Sequence, residues 1–120
     1  MSACSVEKSR GAMSSRRLRV VMTPEARSDI GDILLYTELT WDREQRDEYW
    51  RHIEATIERL AVMPLMGRIR THLSRFDLRW VPVGTHLLYY WVDGNNLVIA
   101  RVLHPRQDAE AVDWDVDLDE

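Results

Sequence analysis

Near the end of this chain Arg101, His104, Arg106 and Asp108 arrive close together, Arg101 behind the apolar run Leu97-Val98-Ile99-Ala100 and the other three behind the pair Val102-Leu103. Guanidinium groups can grip a carboxylate or phosphate, an imidazole can give or take a proton near neutral pH, and Pro105 ends the strand that delivers them. Polar groups held out by a rigid strand form a working surface. Each also has a plainer role: His104 can be a structural hydrogen bonder, and Arg101, inside an apolar strand, calls for a carboxylate such as Asp108. A second basic set, Arg68, Arg70, Arg75 and Arg79, lies upstream and is either a solvated cluster or a recognition patch for an acidic partner.

The elements that carry these groups must fit into 120 residues, enough for one domain with a single core. With 45% hydrophobic and 30% charged residues, the composition is that of an ordinary soluble globular protein. No apolar run approaches the roughly 20 residues that span a bilayer, and the first dozen residues lack the apolar stretch of a secretory signal. Cys4 is the one cysteine, so no disulfide can form within the chain and a reducing cytoplasm is expected. The four histidines and Cys4 show no metal-ligand spacing, so neither metal nor cofactor is expected. The net charge of −4 hides an uneven distribution. Residues 108–120 hold seven acids and no base, leaving 16 bases against 13 acids in the rest, a body of +3. Fifteen of the bases are arginine, the side chain suited to planar anions.

Residues 1–15 carry no pattern and are expected to be unstructured, with Met13 a second plausible start. Arg16 to Met22 alternates as a strand. Thr23, Pro24 and Glu25 then make a strong helix start, and Ala26, Ile30, Ile33, Leu34, Thr37 and Trp41 define one apolar face. Gly31 weakens that helix unless a neighbour needs the missing side chain. Asp42 with Gln45 caps a second helix, whose apolar positions Tyr49, Ile53, Ile57, Leu60 and Ala61 run to about Met63 before Pro64 and Gly67 stop it. The charges between Asp42 and Arg51 lie mostly off that apolar face and read as a solvated surface.

Three strands follow: Leu78 to Val83, His86 to Val92 after a Gly84-Thr85 turn, and the last strand after Asp93-Gly94-Asn95-Asn96. Tyr89, Tyr90 and Trp91 read as packing on the sheet, with a base-stacking platform as the alternative. The expected class is α+β, in the order β-α-α-β-β-β: a helical hairpin on one face of a mainly antiparallel four-stranded sheet over residues 16–108. An acidic tail, 109–120, completes the chain. Within it Asp113-Trp114-Asp115-Val116-Asp117-Leu118-Asp119 alternates, which as a strand would put Trp114, Val116 and Leu118 on one face. A disordered acidic end is the simpler reading. If the tail instead covers a sheet edge or the basic body, it would restrain the protein until a partner displaced it.

The order and spacing of certain residues resemble the RelE/ParE superfamily of toxins from bacterial type II toxin-antitoxin systems. The matching pieces are Thr23-Pro24-Glu25-Ala26, Trp41, Tyr49, Leu60-Ala61 with Pro64 and Gly67, Arg79, the run Gly84, His86, Tyr90, and Arg101-Val102-Leu103-His104 with Arg106, Gln107 and Asp108. The resemblance covers roughly residues 17–108 and looks closer to the ParE branch. RelE-like members cut messenger RNA using lysines and arginines and commonly a late tyrosine, whereas here the one lysine is Lys8 and no tyrosine follows Tyr90. A cleavage site needs a group to deprotonate the ribose 2′-hydroxyl, one to protonate the leaving oxygen, and cations for the phosphate. His104, His72 or His86 with Arg68, Arg70, Arg79 and Arg101 would supply them, with His104, Arg101 and Arg79 foremost. ParE-like members poison DNA gyrase, so the resemblance implies binding without chemistry by the toxin. The expected target-binding residues are then Arg68, Arg70, Arg79, Arg101, His104, Arg106 and Asp108. It also implies a cognate antitoxin, of ribbon-helix-helix type, bound in a hetero-oligomer; a degenerate, non-toxic binding module is a third alternative.

Overall fold

The computed structural model describes residues 17–70, 77–112 and 114. The expectations for residues 1–15, His72, Arg75, Val116 and Leu118 lie outside the described residues. Strand β1 (Arg19–Met22) leads into helix α1 (Pro24–Thr40), which is followed by α2 (Arg43–Val62) and a 3-10 turn (Pro64–Met66). Strands β2 (Arg68–Ile69), β3 (Arg79–Val83), β4 (His86–Asp93) and β5 (Asn96–Leu103) follow, then a second 3-10 turn (Ala109–Ala111).

Both helices begin as their sequences dictate. Thr23 Oγ1 accepts the Ala26 N–H at 2.9 Å, and Asp42 Oδ1 accepts the Gln45 N–H at 2.8 Å. Thr23 also ties the start of α1 to the sheet: its hydroxyl donates to the Ala100 carbonyl at 2.8 Å and its N–H to Ile99 at 3.1 Å. The two helices are joined by Trp41 and Asp42 alone, too short a link for anything but an antiparallel neighbour.

The sheet runs β1-β5-β4-β3-β2, with β1 parallel to β5 and the other pairs antiparallel. It has five strands rather than the expected four. The extra one is the edge pair Arg68–Ile69, bonded opposite Trp80 and Arg79; two residues are too few to show a strand period. A register shift between Tyr89 and Tyr90 pairs them with Arg101 and Ile99, skipping Ala100. Through that bulge Ile99 and Val102 both join the helix-side core.

Apolar residues fill both faces of the sheet, as the near-continuous runs of β4 and β5 require. On the helix side Ile53, Ile57, Leu60, Val81, Val83, Leu88, Tyr90, Leu97, Ile99 and Val102 form one core. On the far side Leu78, Tyr89, Trp91, Val98, Ala100 and Leu103 form a second, closed over by Ala109 and Trp114. Part of the acidic stretch is therefore packed: Ala109 and Trp114 are buried, and Trp114 lies 4.9 Å from Tyr89 between ring centroids. Tyr89, Tyr90 and Trp91 are buried too, as packing residues. Trp41 departs from its expected place on the core face of α1. Sitting at the helix C-cap, it is 72% exposed.

Candidate functional site

The expected site residues fall into three separate places. In the first, Arg101 is spent within the fold. Its Nε and Nη2 donate to the Asp29 carboxylate at 2.7 and 3.0 Å, and the same carboxylate accepts the Val102 N–H at 3.0 Å. The expected partner, Asp108, instead caps the second 3-10 turn, accepting the Glu110 N–H at 2.9 Å. Asp108 follows a proline turn, whereas Asp29 stands on the helix face pressed against the bulge, and geometry decides in its favour. The Asp29 hydrogen bonds hold the Arg101 guanidinium more firmly charged than usual.

Arg79 is also turned inward. Its Nη1 donates to the carbonyls of Gly67 at 2.8 Å and Leu65 at 3.2 Å, and beside it the Tyr90 hydroxyl donates to Pro64 O at 2.7 Å and accepts the Gly67 N–H at 2.9 Å. A Cβ on Gly67 would run into the Tyr90 ring, 2.8 Å from Cε1. Burial pushes the Tyr90 phenol up from its usual range. Arg79 and Tyr90 together thus fasten the end of α2 to the sheet.

The second place is the β2 edge. Arg68 lies over the Trp80 ring at 5.7 Å from its centroid, and Arg70 is 3.8 Å from the Glu110 carboxylate. Exposed apolar side chains surround them, Leu65 at 71% and Ile69 at 54%. Here two guanidinium groups of the expected set do face solvent.

The third place is the opposite end of β4 and β5. His86 and His104 meet edge to face with centroids 5.6 Å apart, and the Tyr49 ring stands 5.8 Å from His86. The Tyr49 hydroxyl donates to Val83 O at 2.9 Å, accepts the Thr85 N–H at 3.2 Å, and lies 2.8 Å from His86 Nδ1. Its single proton goes to Val83, so His86 Nδ1 is the donor in that pair. His104 Nδ1 accepts the Arg106 N–H at 3.1 Å, which puts the neutral ring's proton on Nε2. Arg106 is exposed at the same corner.

Burial, with His104 adding to it, lowers the His86 pKa from its ordinary value. The unfolded chain therefore takes up a proton first on acidification, and this contribution to stability is complete above about pH 6.5 and lost as pH falls toward the lower folded value. The facing groups are Tyr49, Thr85 and His104. Thermal unfolding from pH 7.5 down to 5 should show a midpoint falling below about pH 6.5, and His86→Gln should flatten that slope while lowering the midpoint at neutral pH.

Exposed apolar patches on the helical hairpin are what an antitoxin partner calls for, and the structure supplies the residues that sequence alone did not name. On α1, Leu35, Tyr36 and Leu39 with Trp41 form an exposed apolar ridge, Leu39 being 77% exposed. Beside it a groove of about 490 Å³ is lined by Met22, Ile30, Gly31, Leu34 and Trp50, with Arg46 bridging Glu38 and Asp47 at the rim. The signal available was a helix apolar on more than its core face.

The family model described as "ParE toxin of type II toxin-antitoxin system, parDE" matches residues 20–109. This chain belongs to the ParE toxin family. Toxin ParE1 of Caulobacter vibrioides is 38% identical over 90 residues, covering 75% of this chain and 92% of that protein. Toxin ParE1 of Mycobacterium tuberculosis is 33% identical over 99 residues, covering 82% and 97%. A chain of a solved structure described as "Chromosomal ParDE TA system from P. aeruginosa" has a similar fold, with a TM-score of 0.62 at 16% identity over 73% of this chain and 96% of that one. Five of the residues on which the resemblance was drawn, Tyr49, Gly67, Gly84, His86 and Tyr90, join α2 and the turn after it to the sheet. Among the described residues no helix is long and apolar enough to cross a membrane, and no cluster of potential ligands could hold a metal ion.

Proposed function

We propose that this ParE-family chain arrests growth by binding DNA gyrase and trapping it on cleaved DNA, and that a cognate antitoxin neutralises it. The observation that carries a binding mode over a cleaving one is where the arginines go. Arg101 is committed to Asp29 and Arg79 to the carbonyls of residues 65 and 67, while the far sheet face is closed by Trp114. Arg68, exposed, and Arg70, partly exposed beside Glu110, adjoin Leu65 and Ile69 at the β2 edge, a mixed apolar and basic surface suited to a protein contact. Purified protein with gyrase and supercoiled DNA is expected to accumulate cleaved DNA, and a double charge reversal at Arg68 and Arg70 to abolish it. Cleavage of messenger RNA in the absence of gyrase would overturn this reading, and harmless expression without an antitoxin would favour a non-toxic binding module.

One arrangement favours the ribonuclease reading. His86 and His104 are neighbours with complementary protonation, an imidazole lone pair on one and an N–H on the other. Retained RNA cleavage in His104→Ala would remove that reading.

For the antitoxin, the α1 ridge and its groove offer an exposed apolar surface, of the kind that takes the apolar face of a helical segment. Nothing lies within 4 Å of a Cβ built on Gly31, so the missing side chain keeps the groove open rather than serving the fold. Gly31→Leu should raise helix stability by roughly 0.5–1 kcal/mol. It should also weaken antitoxin binding about tenfold, the worth of some two displaced methylene groups. Unfolding curves and titration calorimetry on one sample test both signs.

A further inference from the structure

Residues 104–112 and Trp114 lie across the far face of the sheet as a strap, and several hydrogen bonds close within it. Gln107 N–H donates to His104 O at 2.9 Å, Ala111 N–H to Asp108 O at 3.0 Å, Glu110 N–H to Asp108 Oδ1 at 2.9 Å and Trp114 Nε1–H to Ala109 O at 2.8 Å. What fastens it to the sheet is of another kind. The Trp114 indole packs on Tyr89, the Ala109 methyl enters the same apolar cluster, and Glu110 stands 3.8 Å from Arg70. Strap and sheet can therefore separate with these hydrogen bonds intact, exposing an aromatic floor of Tyr89 and Trp80 edged by Arg68 and Arg70. The cis occupant shows what that floor accepts: one large aromatic ring, with a carboxylate four residues before it for the guanidinium edge.

We propose that the sheet face beneath His104–Trp114 is a docking surface for a partner's acidic segment bearing one tryptophan or phenylalanine, and that the strap is its built-in competitor. A partner must match both contacts to displace it, since the apolar contact alone is already filled and the exposed ion pair adds little by itself. Displacement costs the partner the strap's own docking energy, while the hydrogen bonds within the strap stay made. Affinity for the intact protein is thus lowered by the fraction of time the face is uncovered. This surface is separate from the α1 groove but shares Arg68 and Arg70 with the β2 edge proposed for the target, and the peptide assay below reads its occupancy without gyrase.

The probe is a fluorescein-labelled heptapeptide copying residues 108–114, Asp-Ala-Glu-Ala-Val-Asp-Trp, added to the full chain and to full-length Trp114→Ala. Anisotropy should show the variant binding about tenfold or more tightly than the wild type, the factor by which an occupied face suppresses affinity. The same peptide with alanine for its tryptophan should not bind, and Arg70→Glu in the variant background should reduce binding severalfold. Equal binding to both proteins, or none to a variant that keeps the wild-type circular dichroism, would overturn the proposal. Should Trp114→Ala fail to fold, side-chain NMR of the wild type decides. A large excess of unlabelled peptide should shift the Trp80 and Trp114 indole signals together, and no shift at either ring would overturn the proposal.

Discussion

Gly84→Ala should unfold this protein at markedly lower temperature, costing about 3 kcal/mol or more, a large part of a typical domain's stability. Gly84 begins the β3–β4 turn at φ +58°, the left-handed region where a side chain is strained by itself. The larger cost is steric. A Cβ there would stand 2.7 Å from Cζ of Tyr49 and closer still to its Cε1 and hydroxyl, so the ring must move. When it moves, Val83 O, the Thr85 N–H and His86 Nδ1 lose their common partner together. Thermal denaturation of Gly84→Ala, Tyr49→Ala and the double variant checks this. The double variant should be much less destabilised than the sum of the singles, because the missing ring removes the collision. Simple additivity would mean that the backbone alone carries the effect.

Asp29→Ala is expected to cost about 3 kcal/mol, in the range found when one partner of a shielded ion pair is removed. The Asp29 side chain is 15% exposed and that of Arg101 24%, so water screens the pair only in part. The alanine variant leaves three donors unmatched at once: both guanidinium nitrogens and the Val102 N–H, which sits beside the β5 bulge. Asp29→Asn restores the shape and one acceptor and should recover part of the loss. Chemical denaturation of both variants measures the difference; equal stability of the alanine and asparagine variants would show that the carboxylate's shape and acceptor contribute nothing.

The helices were readable because their signals are local. Thr23-Pro24-Glu25 and Asp42 with Gln45 are hydrogen-bonding instructions contained within four residues, and the structure follows them. Strands β3 to β5 were readable because turn residues separate apolar runs. Gly67 and Gly84 were legible as a helix stop and a turn, but not as the places where the Tyr90 and Tyr49 rings press against the backbone. What could not be read was the choice of partner over long distance. Arg101 needed a carboxylate, and sequence proximity suggested Asp108, but the bulge and the docking of α1 bring Asp29 from 72 positions away. Trp114 had a legible alternation around it, yet nothing local shows that its indole would close the second face. Trp41 fitted the helical period of α1 and still faces water, because a residue at the C-cap has left the helical phase.

The parallel pairing of β1 with β5 joins Arg19 to Asn96 and Met22 to Ile99, and Thr23 reaches Ala100 across 77 positions. A contact between the two extremes of a domain is the last to be made and the slowest to find, since its loop must close after everything between. During synthesis the first strand emerges with nowhere to pair and waits until the final one is released. A chain that stops short of β5 leaves β1 without its partner, so this sheet is finished only once β5 has been released.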